Sequence, residues 1–325
     1  MTLHMTQFRL EQPADVASAV RLAAQGGGQY LAGGTDLLVN LRRGHGEPAV
    51  LVDLTNVAEL GGLSCDAQGA RIGGAVTLAA LGASAPVRAR YAAIAEAAEA
   101  IAGPSHRNLA TVGGNLCLDT RCVYYNQSEW WRQANGYCLK RNGTVCHVAP
   151  QGQRCRAAYS GDLAPALLVH VAEVEIAGPA GRRRMPLAEL YRDDGGAHLT
   201  LASGELVVAV HLPAAGLQSA YRKSRLRQSM DFPLAGVAVA LRVEGGRLAA
   251  LNVAVTGTNS RPVVVSGTDA LLGEPPGEAL LKRLDKLVQT QVEPVRTTVA
   301  PANYRRLLAV ALARQLVGQL VATGP

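Results

Sequence analysis

Four cysteines, Cys122, Cys138, Cys146 and Cys155, fall within thirty-four residues of a chain that has only six. Both tryptophans, Trp130 and Trp131, lie among them, with Tyr124, Tyr125, Tyr137 and Tyr159. The chain around this stretch is built mostly of Ala, Leu, Val and Gly. Thiols and aromatics at this density break the surrounding pattern. The segment Arg121–Tyr159 must therefore fold as an inserted module with a centre of its own. In a reducing compartment, clustered cysteines point to metal ligation or redox work rather than to structural disulfides.

The module also carries much of the chain's charge. Arg121, Arg132, Lys140, Arg141, Arg154 and Arg156 stand against Glu129, within an overall balance of +7. A nucleic-acid footprint spreads along a face or a helix. Here the charge sits with the cysteines, and no nucleic-acid motif accompanies it. Thiolates ligate both zinc and iron–sulfur centres. The spacing C-x15-C-x7-C-x8-C is neither the compact ferredoxin run nor the paired C-x-x-C of a zinc ribbon. A structural zinc site, with four thiolates or three and His147, stays open on the residues alone. Cys65 and Cys117 read as core thiols. His106 and His170 have no cysteine or carboxylate cluster around them and read as ordinary surface or core residues.

Outside the module the chain alternates helices and strands. "PADVASAVRLAAQ" has a helical period, "QYLAGG" is a short strand ending in glycines, and Thr35 is placed to cap a helix over "TDLLVNLRRG". "AVLVDLTNV" is a buried strand. "RIGGAVTLAAL" is a strand leading to a helix, and "YAAIAEAAEAIAG" a helix stopped by Gly103-Pro104. "ATVGGNL" reads as a glycine turn after a strand, and "RRRMPLAELYRDDGG" as a surface connection. From Gly204 onward strands alternate with two helices, and "EGGR" is a hairpin turn. The fold class is α+β in three subdomains: 1–57, 58–203 with an insertion at 121–159, and 204–325. The opening stretch "MTLHMTQFRLEQPADV" lacks a signal peptide's apolar run, and no uninterrupted apolar run long enough to span a bilayer is found. A cytoplasmic chain with no membrane insertion is expected.

Two glycine turns are suited to a phosphate. "LAGGTDLL" brings Gly33 and Gly34 to a strand end before a helix start, and "TVGGNL" offers a second turn. Glycine lets backbone approach a ligand, and exposed N–H groups attract an anion. The pair does not make the G-x-G-x-x-G fingerprint of a dinucleotide fold.

"LAGGTDLL", "ATVGGNL", "SGDLAPALL" and "YRKSRLRQSMDFPLAGVAVAL" occur in that order. Together they resemble the FAD-binding medium subunit of the xanthine dehydrogenase family of molybdenum enzymes, over nearly the whole chain except the cysteine module. The resemblance implies a PCMH-type FAD-binding fold of two N-terminal α/β subdomains with a C-terminal antiparallel sheet and helices. It implies that Leu31, Ala32, Gly33, Gly34, Thr35, Asp36, Thr111, Gly114 and Asn115 hold the FAD diphosphate. It places Asp162 on the flavin side. "Y-x-K-x-x-x-R" supplies Tyr221, Lys223 and Arg227, with Lys223 near the isoalloxazine.

Most medium subunits of the family lack the insert. The module resembles that of the 4-hydroxybenzoyl-CoA reductase branch, which implies a [4Fe–4S] cluster on Cys122, Cys138, Cys146 and Cys155. The basic residues would then offset the cluster's charge, amides of Gly136, Gly143 and Gly152 would reach its sulfides, and the aromatics would keep water away. The same resemblance implies a dimer of heterotrimers, with partner chains carrying the molybdenum cofactor and two [2Fe–2S] clusters. Reduced ferredoxin would donate electrons at the basic module for reductive dehydroxylation to benzoyl-CoA. No substrate acid, base or nucleophile is expected on this chain. The rival readings are a flavin subunit of a related molybdenum hydroxylase and a flavin-binding scaffold with a structural zinc loop.

Overall fold

Short apolar strands and small-residue helices produce three sheets that meet at one cleft. The computed structural model describes residues 7–323. The first six residues, part of the opening stretch discussed above, lie outside the described residues. In the first subdomain β1 (Arg9–Glu11), α1 (Val16–Gly26), β2 (Gln29–Leu31), α2 (Leu37–Arg42) and β3 (Val50–Asp53) form a parallel three-stranded sheet in the order β1-β3-β2. Asp15 caps α1 by accepting from the Ser18 amide. Thr35 does not cap α2. Asp36 occupies that position, and its carboxylate bonds elsewhere.

The second subdomain follows with β4 (Leu63–Cys65), β5 (Gly69–Gly73), α3 (Leu78–Ala83), α4 (Ala85–Arg90), α5 (Ala92–Ala100), α6 (Pro104–Arg107) and α7 (Val112–Leu116). The cysteine module holds one short helix, α8 (Glu129–Ala134). Then come α9 (Leu163–Leu168), β6 (Glu173–Gly178), β7 (Gly181–Pro186) and β8 (Leu206–Pro213). The sheet order is β4-β5-β8-β6-β7. Two expectations shift here. "RRRMP" is a paired edge strand, because its arginines stay solvated while its backbone completes the ladder with β6. The boundary expected at 204 falls one strand early, because β8 lies in the middle of this sheet. Its apolar run, Leu206–Val210, is buried there.

The C-terminal subdomain is an antiparallel sheet of β9 (Gln218–Ser224), β10 (Ala235–Glu244), β11 (Arg247–Thr256) and β12 (Val263–Val264), with α10 (Glu278–Gln291) and α11 (Ala302–Thr323). Alternation along β10 explains how it is covered on both faces. Val237, Val239 and Leu241 join the core formed with α10 and α11, whereas Ala238 and Ala240 meet the core of α5 and α9. Bulky residues fill one side and alanines admit close helices on the other. The hairpin at Gly245-Gly246 forms as expected, pairing Glu244 with Arg247.

α11 is long and apolar enough to cross a membrane by length and composition, although polar and charged residues interrupt its apolar run. In this fold it packs on the sheet through Ala309, Leu312, Ala313, Leu316 and Val317. Near its start Arg305 is fully buried and donates to the carbonyls of Leu234 (3.1 Å) and Val295 (2.8 Å) and to Thr297 (2.8 Å).

His170 is buried at the α9–β9 junction, 3.0 Å from Ser219 Oγ and edge-on to Tyr91. Burial lowers its pKa to about 4. The unfolded chain binds this proton below about pH 6.5 and the native state does not. The contribution is therefore fully present above about pH 6.5 and is lost as the pH falls towards 4. We expect stability to fall across that window by about 3 kcal/mol from this residue, seen as a falling thermal midpoint, and His170→Gln to flatten the slope.

Candidate functional site

A cleft of about 690 Å³ opens where the three subdomains meet. Ala32, Gly33, Gly34, Thr35, Asp36, Thr111, Gly114, Asn115, Asp162 and Lys223 all line it, so residues spread over 190 positions converge. Leu31 is not in its wall but ends β2 directly before it. The cleft is also lined by residues not singled out from sequence. These include His198 and Glu205, on loops without a local motif, and Met230 and Phe232, which lie within the quoted "YRKSRLRQSMDFPLAGVAVAL" stretch without an assigned role there.

The two glycine segments do different work. Gly33 crosses the Leu109–Ala110 backbone so closely that a Cβ would stand 1.8 Å from the Leu109 carbonyl oxygen. Gly34 follows at φ +67°. Among the described residues the amide N–H groups of Gly33, Gly34, Thr35 and Asp36 donate to no protein acceptor. Four consecutive free amides on a cleft wall suit a diphosphate. "TVGGNL" is not a turn after a strand. Thr111 caps α7, accepting from Gly114 N at 3.1 Å, and the Gly113 amide donates to Gly74 O at 2.8 Å. The α7 amides are satisfied internally, so this segment contributes a flat backbone wall. Asn115 ties the wall to α9 by accepting from the Leu163 amide at 3.1 Å.

Deeper in the cleft lies a buried ion pair. Lys223 Nζ is 3.1 Å from the Asp162 carboxylate, and both side chains are 4% exposed. Tyr221 donates to the other carboxylate oxygen, and Lys223 also reaches Asp231 O at 3.2 Å. Burial pushes the Asp162 carboxyl up, while Lys223 and Tyr221 favour its charged form. Arg227 does not join this group. It stands exposed, bonded to Met230 O (2.8 Å) and close to Asp231 (3.5 Å).

The four module cysteines are free thiols lining a second, small cavity of about 10 Å³ with Tyr124, Tyr125, Lys140 and His147. Burial raises the Cys122 and Cys155 thiols, and the neighbouring module cysteines add to the rise. No group of three or more His, Cys, Asp or Glu side chains among the described residues is placed to hold a metal ion. The thiols share a cavity without converging on one point. His147 is engaged elsewhere, 2.5 Å from Tyr137 O and stacked on Tyr124.

Hydrogen bonding to sulfur fits a cluster, but through another donor than expected. The Ala157 amide donates to Cys155 Sγ at 3.4 Å, whereas the Tyr125 amide donates to the Cys122 carbonyl at 3.1 Å. The amides of Gly136, Gly143 and Gly152 donate instead to Gln133 O, Cys138 O and Ala149 O. Gly143 is needed for approach, because a Cβ there would stand 2.5 Å from Cys138 N. Burial pushes the Cys155 thiol up to about 12, so bound metal would have to displace its proton. Trp130 is 64% exposed, and Tyr124 and Tyr125 rather than the tryptophans cover the thiols.

The expected basic surface is absent from the described residues. Each of the six module cations has an acidic partner: Arg121 with Asp36, Arg132 with Glu129, Lys140 with Asp119, Arg141 with Glu47, Arg154 with Asp193, and Arg156 with Glu293. Only Glu129 comes from the module itself, which is why the segment looked strongly positive on its own. Arg121, Arg132 and Lys140 are nearly fully buried, and they surround the thiol cavity and its margin rather than face solvent.

The FAD binding domain in molybdopterin dehydrogenase matches residues 6–215, and the CO dehydrogenase flavoprotein C-terminal domain matches residues 219–320. This chain belongs to the FAD-binding medium subunits of the molybdenum xanthine dehydrogenase/CO dehydrogenase family. The aldehyde oxidoreductase FAD-binding subunit PaoB of Escherichia coli (strain K12) is 35% identical over 281 residues, covering 83% of this chain and 86% of that protein. The carbon monoxide dehydrogenase medium chain of Hydrogenophaga pseudoflava is 28% identical, covering 93% of each. The reconstituted CO dehydrogenase from Oligotropha carboxidovorans superposes with a TM-score of 0.81 at 24% identity, over 98% of this chain and 99% of that one. This medium subunit therefore carries an FAD-binding domain, and the free amides and the buried cation of the cleft suit a diphosphate and a flavin.

Two substitutions test the wall and floor. Gly33→Ala should cost at least tenfold in FAD affinity, read by flavin fluorescence titration, because the backbone clash leaves the loop no room. Lys223→Met should destabilise the subunit by about 3–5 kcal/mol in urea unfolding, because it strands a buried carboxylate. Pairing Lys223→Met with Asp162→Leu should recover much of that loss.

Proposed function

We propose that this chain is the electron-transfer subunit of a molybdenum oxidoreductase, holding FAD in the main cleft and a [4Fe–4S] cluster on Cys122, Cys138, Cys146 and Cys155. The carrying observation is the adjacency of the two sites. Arg121 is in the cleft wall and the next residue, Cys122, lines the thiol cavity. When bound, FAD exchanges electrons singly or in pairs and a cluster exchanges them singly, so neighbouring sites for the two form a relay. This chain's residues hold and shield the cofactors: Tyr124 and Tyr125 cover the thiols, the Ala157 amide braces Cys155, and the Lys223 cation is fixed beside the flavin position. Substrate chemistry belongs to a partner chain with the molybdenum cofactor, with [2Fe–2S] centres between.

For the substrate, oxidation of an aldehyde is the first reading, supported by the 35% identity to the aldehyde oxidoreductase subunit. Reductive dehydroxylation of 4-hydroxybenzoyl-CoA is the second reading, supported by the four-cysteine insert. Steering of an acidic ferredoxin is weakened by the ion pairing of the module's cations. Iron, acid-labile sulfide and FAD should be measured on the anaerobically purified subunit, with EPR after dithionite. About four iron, four sulfide and one FAD per chain are expected, with the reduced signal lost in Cys138→Ser. One zinc without sulfide would overturn the cluster. The assembled enzyme should then turn over aromatic or aliphatic aldehydes; turnover of the thioester alone would select the second reading.

A further inference from the structure

The cysteine module grips the segment that forms the diphosphate wall. The free-amide turn at Gly33–Asp36 leads straight into α2 and its following loop, residues 37–47. Module side chains hold this segment at four places. Arg121 bonds the Asp36 carboxylate and donates to Asn40 Oδ1 at 3.1 Å, next to an Asn40–Asp36 bond of 2.9 Å. Tyr125 stacks on His45 with ring centroids 4.0 Å apart. Arg132, 2% exposed, donates to the Arg43 carbonyl at 2.9 Å and lies 3.4 Å from that of Gly44. Arg141 stands 4.0 Å from Glu47.

Arg121 and Arg132 thus hold the two ends of α2. The first fixes the Asp36 end, where the free amides lie. The second satisfies carbonyls past the helix C-terminus, which have no partner within the helix. A six-residue helix is too short to be stable alone, so its placement depends on such outside contacts. The gripping residues are interleaved with the thiols. Arg121 adjoins Cys122, Tyr125 lines the thiol cavity, and Arg132 and Arg141 lie on either side of Cys138. Asp36 therefore acts as the anchor of the loop, its carboxylate held by Arg121 rather than turned to a phosphate.

We propose that Arg121, Tyr125 and Arg132 are positioning residues through which the folded cysteine module sets the shape of the FAD diphosphate loop, so that cluster and FAD binding reinforce each other. The proposal rests on the two-cofactor reading above. Ordering the module shapes the loop before FAD arrives, and FAD in the loop holds the module's side chains in place. Such coupling is reciprocal: the factor by which the cluster tightens FAD equals the factor by which FAD tightens the cluster.

The test uses the full subunit and FAD itself as probe. Arg132→Gln and His45→Ala remove the grip from opposite sides and leave every cysteine and every free amide in place. Arg156→Gln, whose partner is Glu293, breaks a module ion pair that does not touch residues 36–47. We expect FAD affinity to fall about tenfold in the first two variants, within the usual range of coupling, with iron content unchanged and Arg156→Gln within about twofold of the parent. Cys138→Ser should show a similar fall. A ferrous chelator should strip iron faster from FAD-free subunit than from FAD-loaded subunit. Equal FAD affinity in all four variants, with both cofactors otherwise binding, would overturn the coupling while leaving the two-cofactor reading intact. Absence of iron from the parent would overturn the cluster instead, and the Arg132→Gln and His45→Ala titrations would still decide whether the module shapes the loop.

Discussion

The Arg121 guanidinium is the junction on which the site depends. It is buried where the first subdomain, the cysteine module and the C-terminal subdomain meet. Its charge is balanced by Asp36, it donates to Asn40, and its plane lies 5.0 Å from the Phe232 ring centroid. Its own backbone pairs in both directions with Ala158, closing the stem of the module at 2.7 Å. A buried cation tolerates this place only while each partner stays fixed. The arrangement makes the diphosphate loop, the module stem and the far wall of the cleft mutually dependent.

Around that junction the fold is conservative. Small residues on one face of the C-terminal sheet admit α5 and α9, while branched residues on the other face meet α10 and α11. The flavin end of the cleft is floored by Asp162 and Lys223, a pair drawn from different subdomains. Breaking either partner leaves a charge in an apolar setting, so the pair locks α9 to β9 as well as placing a cation in the cleft. The thiol cavity has the opposite design. The Ala157 amide donates to the Cys155 thiol, tyrosines and Lys140 line the cavity, and Arg132 lies over the Tyr125 ring.

The charge of the module shows why context matters. Read alone, residues 121–159 look like a docking surface for an acidic protein. In the fold, five acidic residues from outside the module pair with its cations, and three of the cations are buried. The positive charge is taken up in ion pairs that hold the module to its neighbours. The same correction applies to the glycines. Gly136, Gly143 and Gly152 shape the module's turns, and the amide directed at a sulfur comes from Ala157, whose role no residue type announces.

By itself the sequence determined the α+β class, most strands and helices, the glycine loop at Gly33-Gly34 and the set of four module cysteines. Each of these rests on local chemistry: hydrophobic period, the steric freedom of glycine, and a thiol density that no ordinary core has. Only the tertiary structure decided that β8 belongs to the second sheet, that the amides of α7 are satisfied internally, that Trp130 faces solvent and that Asp36 answers to Arg121. Those outcomes depend on which distant segments come to lie side by side. A carboxylate or an amide has no fixed role until its neighbours claim its hydrogen bonds.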